Sequence, residues 1–212
     1  RQAQPDPRKA GVVIRFADEH IVVVEKPAGL TTMRHAHEAA EFGARGRRFL
    51  PRTLEDLLPE LLPRQKGKPA RVIAVHRIDK ETSGLVVFAR TAEAAKHLGK
   101  QLREHSAERR YLAMVRGKAK DATVESWLVR DRSDGRRGSG KGNEGQRAVT
   151  HVRVVEELGD FTLVECRLET GRTHQVRIHL GEMGTPLCGE RVYDRPINGA
   201  ALPDTSGAKR VA

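Results

Sequence analysis

Residues 72–88, VIAVHRIDKETSGLVVF, decide how this chain is read. An apolar approach, Val72-Ile73-Ala74-Val75, runs into His76, Arg77, Asp79, Lys80 and Glu81. The chain leaves through Thr82-Ser83-Gly84 into a second apolar run, Leu85-Val86-Val87-Phe88. Short β-branched runs separated by a turn cluster predict two strands flanking a charged knuckle. Taken locally, Asp79 is a turn-forming carboxylate, a surface charge, or a catalyst held in place by the strands around it.

Working outward, residues 11–25 read as two short β runs around Ala17-Asp18-Glu19-His20, and Lys26-Pro27-Ala28-Gly29 stops the second. Residues 34–52 show no clean period and are read as an irregular excursion. Thr53 caps a short helix, TLEDLLPELL, with Asp56 three residues on as in a capping box and Pro59 limiting its length. Thr91 opens a second helix, TAEAAKHLGKQLREH, with Ala95, Leu98 and Leu102 on one face. ERRYLAMVRG and ATVESWLVRD return to β, and AVTHVRVVE and FTLVECRLE flank a hairpin at Leu158-Gly159-Asp160. Residues 131–147, DRSDGRRGSGKGNEGQR, lack apolar anchors and read as a long mobile loop suited to phosphates. GRTHQVRIHLGEMG reads as a helix entered at Gly171 and closed by Gly184. Strands dominate and helices do not alternate strictly with them. The expectation is therefore an α+β fold with a mixed or largely antiparallel central sheet and flanking helices and loops. Its parts are a polar segment over 1–10, a single domain over 11–200, and a loose tail over 201–212.

The chain has 212 residues, 39 Lys+Arg against 28 Asp+Glu, and a formal charge of +11. Nucleic acid is the natural partner of that field, although an Arg-rich proteome gives the same balance. Cys166 and Cys188 form no C-x-x-C, which suits a reducing compartment and points to the cytoplasm. No apolar run has the length of a membrane span and residues 1–10 are polar, so no membrane partner is expected. The start on Arg1 fits a fragment of a longer protein. GRRGSGKG has neither the spacing nor the strand-to-helix setting of a P-loop, so no nucleotide site is read there. His174 and His179 are five apart and H-E-x-x-H is absent, which argues against metal. With no apolar surface helix left over, a monomer is expected.

Arg177 reads two ways. Over a helix spanning 173–184 it shares a face with Thr173 and Leu180, as a half-buried cation needing a carboxylate or anionic ligand. Equally, it is a surface Arg whose stem covers apolar neighbours. Tyr111 reads as a core strand residue or as a cleft residue able to stack on a base or move a proton.

HRIDKETSGL at 76–85 is similar to the central H-R-L-D-x-x-T-S-G-L motif of RluA-type pseudouridine synthases, with Ile78 where Leu is usual. EKPAGL at 25–30 resembles the strand-to-turn signature that precedes it, and RRYLAMVRG at 109–117 resembles the family's Tyr-bearing strand. Residues 171–194, GRTHQVRIHLGEMGTPLCGERVYD, resemble its long C-terminal motif. The four come in the family's order. The chain departs from the pattern after the turn, where Thr31-Thr32-Met33-Arg34-His35 replace a His-Pro, and at Glu190, where Asp is usual.

The resemblance implies the pseudouridine synthase fold and the isomerisation of uridine to pseudouridine in ribosomal or transfer RNA, with no cofactor. It implies Asp79 as the essential carboxylate, with Arg177 as its counter-ion and Tyr111 on the uracil as the other catalytic positions. Arg77 would fill the gap left by a flipped uridine. Ile178 would wall the base, while His76, Thr82, Arg172 and His174 complete the substrate-binding set. A non-catalytic RNA-binding or ribosome-assembly factor on the same scaffold is the alternative. Basic charge and long loops suit it equally, but it has no need of Asp79, Tyr111 and Arg177.

Overall fold

In the computed structural model of the protein, residues 11–34, 50–64, 67–195 and 199–208 are described. The segment 1–10 and almost all of the expected excursion over 34–52 lie outside them. The chain divides into two compact units, residues 1–104 and 105–212. Both are built on antiparallel sheets, as the α+β expectation requires.

The N-terminal unit carries a four-stranded sheet of β1 (Val13–Ala17), β2 (Ile21–Lys26), β3 (Ile73–Ala74) and β4 (Gly84–Ala89), in the order β1-β2-β4-β3. Asp18 closes the first hairpin, its Oδ1 accepting the N–H groups of His20 at 2.8 Å and Ile21 at 2.7 Å. In β2 the period of two turns Val22, Val24 and Lys26 into the interior, all fully buried. Helix α1 (Leu54–Leu61) starts from the anticipated capping box. Thr53 Oγ1 accepts the Asp56 N–H, and the Asp56 carboxylate accepts the Thr53 N–H. Its Leu54, Leu57 and Leu58 are fully buried. Helix α2 (Ala92–Arg103) is capped by Thr91, and Ala95, Leu98 and Leu102 are half-buried on one face.

The C-terminal unit carries a five-stranded sheet in the order β5-β9-β8-β6-β7. Its strands are β5 (Arg110–Arg116), β6 (Ala122–Val129), β7 (Gly138–Ser139), β8 (Gln146–Leu158) and β9 (Phe161–Leu168). Gly159, at φ +65°, makes the two-residue turn between β8 and β9. The core gathers Val115, Val152, Val164, Cys166 and Leu180.

Two sequence expectations need correction here. Helix α3 spans Gln175–Glu182, four residues later than a start at Gly171. Its N-cap, His174, lies in the left-handed region at φ 59°, so Thr173 is outside the helix and shares no helical face with Arg177. The cause is Gln175. Its amide takes the Arg172 N–H and the Thr170 hydroxyl, and donates to Val149 O and Thr150 Oγ1, which fixes the chain on the sheet just before the helix begins. The second correction is the 131–147 segment, which is anchored by polar groups. Gly138–Ser139 pair with β6, and Glu182 accepts both the N–H and hydroxyl of Ser139 at 2.9 and 2.6 Å. The Arg132 side chain, only 3% exposed, lies between Asp134 and Glu182. Apolar patterning misses such an anchor because its contacts are ionic.

Residues 199–208 pack within the C-terminal unit. Leu202 N–H donates to Asp194 O, Leu202 O accepts from Arg116, and Asp204 accepts the Gly189 N–H. At Gly181 the helix meets the chain at Tyr193 so closely that a Cβ would lie 2.0 Å from Tyr193 O.

Candidate functional site

In the N-terminal unit, β3 and β4 pair directly, so residues 75–83 form the connection that carries Asp79. β3 has ended before His76, and the imidazole continues the ladder in its place: Nε2 accepts the Val87 N–H at 3.0 Å. His76 therefore supports the backbone of the knuckle, and acceptance at Nε2 places the proton of the neutral ring on Nδ1.

The peptide groups on both sides of Asp79 are pinned. Before it, buried Ile78 donates its N–H to Thr32 Oγ1 at 3.3 Å and accepts the Thr32 hydroxyl at 2.8 Å. After it, Lys80 O accepts the Gly29 N–H at 2.8 Å and Lys26 Nζ at 2.9 Å. Asp79 O itself closes a turn with the Thr82 N–H at 3.1 Å. The Asp79 side chain is half-buried, as is Thr82, and Arg77 is exposed.

Lys26 was not among the residues singled out from sequence. Its ammonium donates to Pro27 O, Leu30 O and Lys80 O at 2.9, 2.7 and 2.9 Å, tying the 27–30 turn to the one that holds Asp79. Burial pushes its pKa down to about 8, against the opposing pull of Glu81 and Asp79. The available signal was the period of two in β2, which places a Lys on the inward face behind Val22 and Val24. Thr32, where the family pattern leads one to expect His-Pro, could not be assigned without its partner.

The C-terminal unit holds the other expected positions. Tyr111 lies on β5 opposite Cys166 of β9 and packs against the core. Arg172 donates through Nε to Arg147 O at 2.9 Å, which supports the turn before α3. His174 Nδ1 lies 2.7 Å from the Tyr193 hydroxyl, and the two rings pack edge to face at 5.6 Å. Arg177 lies over the Tyr193 ring, 5.1 Å from its centroid. It donates from Nε and Nη2 to Glu190 at 2.7 and 3.0 Å. The half-buried, paired reading of Arg177 is thus the one realised, with its side chain 19% exposed. Ile178 is fully buried among Leu128, Ala148 and Tyr193, where it packs the core beneath this cluster. His179 is also a core residue, between Thr150 Oγ1 at 2.9 Å and Ser126 Oγ at 3.1 Å. Burial draws its pKa down to about 4, so the ring is neutral near pH 7.

Each unit therefore fixes its own part of the expected constellation: Asp79 with His76, Arg77 and Thr82 in one, Tyr111, Arg172, His174, Arg177 and Ile178 in the other. No group of three or more His, Cys, Asp or Glu side chains among the described residues is arranged to hold a metal ion. Among those residues, no helix is long and apolar enough to cross a membrane.

Residues 20–182 match the model of a family described as RNA pseudouridylate synthase. The chain is 40% identical over 205 residues to the ribosomal large subunit pseudouridine synthase D of Zymomonas mobilis, covering 92% of this chain and 60% of that protein. It is 39% identical over 211 residues to the protein of the same name from Nitrosomonas europaea, covering 99% and 55%. The chain thus spans somewhat over half the length of these relatives. Among solved structures, human RNA pseudouridylate synthase domain containing 4 superposes with a TM-score of 0.68 at 25% identity, over 91% of this chain and 73% of that one. The family match covers well over half of the chain and contains the Asp79 knuckle, the Tyr111 strand and Arg177, and on that basis the chain belongs to the RNA pseudouridylate synthase family.

Proposed function

We propose that this chain is the catalytic part of an RNA pseudouridine synthase acting on ribosomal RNA of the large subunit. The RNA class follows from the names of its relatives in Zymomonas mobilis and Nitrosomonas europaea. The observation that carries the reading is the pinning of both peptide groups beside Asp79, by Thr32 on one side and by Lys26 and Gly29 on the other. A surface or turn carboxylate needs no such buried scaffold. A carboxylate that must meet one atom of a nucleoside does.

In this reading Asp79 either adds to the nucleoside covalently or removes a sugar proton to give a glycal. The bond between the sugar and uracil N1 breaks, the uracil turns, and its carbon 5 bonds to the sugar. The carbon 5 proton leaves and N1 gains one, so no atom is gained or lost and no metal, nucleotide or other cofactor is consumed. Arg177 keeps the carboxylate ionised. Tyr111 packs on the uracil and assists loss of the carbon 5 proton. Arg77 enters the gap left by the flipped base. Thr82, Arg172 and His174 contact the RNA, and the +11 charge supplies affinity through phosphates. The domain over residues 11–200 works as a monomer in the cytoplasm.

Tritium release from RNA labelled at carbon 5 of uracil tests the proposal. Asp79→Asn should lower turnover by roughly a thousandfold or more while RNA affinity holds within about threefold. Full turnover by that variant would refute the central role of Asp79. No release by the unaltered chain would favour a non-catalytic RNA-binding or assembly factor.

A further inference from the structure

Glu190 stands where the family pattern has Asp, and its surroundings are specific. Its side chain is completely buried. Oε2 takes Arg177 Nε at 2.7 Å and Oε1 takes Nη2 at 3.0 Å, the two-point grip by which a carboxylate fixes the plane of a guanidinium. Oε1 also accepts three consecutive backbone N–H groups, of Arg191, Val192 and Tyr193, at 3.1, 2.9 and 3.2 Å. The carboxylate cannot swing away without leaving those donors buried and unpaired. On its flat side the guanidinium rests over Tyr193, whose hydroxyl is held by His174. One edge and one face of Arg177 are thus immobilised.

Building on the reading of Arg177 as the cation of the reaction, we propose that Glu190 is its positioning residue. Glu190 takes the Nε/Nη2 edge and so fixes the plane of the guanidinium for that role. Among the described residues, two cations bond to Glu190. Arg177 faces it from α3, and Arg116 of β5 donates from Nη2 to its main-chain oxygen at 3.0 Å. Arg191, Asp194 and Asp204 line the neighbouring cavity with Arg116. Burial opposes ionisation of Glu190, but the Arg177 bonds and charge and the backbone N–H groups outweigh it, holding the carboxyl below its ordinary range.

Positioning and charge predict opposite signs. A Glu190 acting through charge alone partly cancels Arg177, so its removal would strengthen the field at Asp79 and carry the acidic limb of the kcat profile to lower pH. A Glu190 that holds Arg177 in place does the reverse, because a released guanidinium stabilises the carboxylate less and the limb moves up. The experiment follows tritium release by the full chain on labelled ribosomal RNA from pH 5 to 8. Glu190→Gln should lower kcat by about 30-fold or more, keep KM within about threefold, and raise the acidic limb by about one pH unit. Glu190→Asp should recover kcat to within about fivefold of the unaltered chain. The proposal is overturned by a Gln variant with unaltered kcat and limb, by a limb that moves down, by a fall in Tm with no change of profile, or by an Asp variant no better than Gln. Should Glu190→Gln not fold, the Arg177 Nε–H signal of the unaltered chain decides, assigned by its loss in Arg177→Lys. Slow exchange with solvent supports the grip and fast exchange overturns it. Failure of the functional reading looks different: absent tritium release, or an active Asp79→Asn, with the Arg177 signal still protected.

Discussion

The Asp79 turn and the Arg177 cluster are secured by different physics. Around Asp79 the restraints fall on the main chain. A Thr hydroxyl, a His ring and a Lys ammonium each bond to peptide groups in and beside the turn that carries the carboxylate. Around Arg177 the restraints fall on the side chain itself, through Glu190 and the Tyr193–His174 pair, while the helix below is set by buried Gln175 and His179. The first arrangement carries a short side chain, so fixing the peptide limits the carboxylate to a few rotamers. The second must hold a long side chain that loses about 2 kcal/mol of rotamer entropy when ordered, and only contacts at its far end can do that.

Three changes probe this contrast, beginning with the strongest. Lys26→Met keeps the apolar stem but withdraws the donor from Pro27 O and Leu30 O, and one of two donors from Lys80 O. Denaturant unfolding should show a loss of about 3 kcal/mol. Hydrogen exchange should show it first at residues 27–30 and 79–82. A variant as stable as the parent would mean that the turn stands without its clamp.

Acid should act on the other region. His179 has a folded pKa near 4 against an ordinary 6.5. Between those values the unfolded chain binds the proton and the folded chain does not, so stability falls as pH drops from 6.5 to 4 and this contribution is exhausted below. The loss is up to about 3 kcal/mol. It should appear in the exchange of α3 and β8 before that of the Asp79 turn. His179→Gln should flatten the pH dependence across that window, and an unchanged slope would assign it to other groups.

The smallest effect is expected from Thr32→Val. It removes one hydroxyl that both donates to and accepts from Ile78, at a cost of about 1–2 kcal/mol. If Thr32 orients the peptide before Asp79, tritium release should fall further than the lost stability explains. Turnover at the parent rate would confine Thr32 to packing.

Much of this was legible in the residues, and the failures share a cause. Thr53 and Asp56, Thr91 with its half-buried face, and Gly159-Asp160 were readable because each depends on neighbours within a few positions. The start of α3 was not, because Gln175 is bonded to Val149 and Thr150, some 25 residues away. Nor was the anchoring of 131–147, which rests on Glu182, 43 residues beyond Ser139. Lys26 was half legible: its inward direction follows from strand alternation, but its three carbonyl partners do not.

By itself the sequence determined the strand-rich α+β class, the caps and turns, the order of the four motifs, and the identity of Asp79, Tyr111 and Arg177 as residues to watch. The class, caps and turns depend on short-range periodicity and local chemistry, whereas the motifs and the three residues were read from the resemblance to a known family. Only the tertiary structure decided what holds those groups: that Thr32 and Lys26 pin the Asp79 turn, and that Glu190 grips Arg177. Such partnerships join residues 13 to 54 positions apart, and the free energy that selects them arises only when burial removes water as the competing partner.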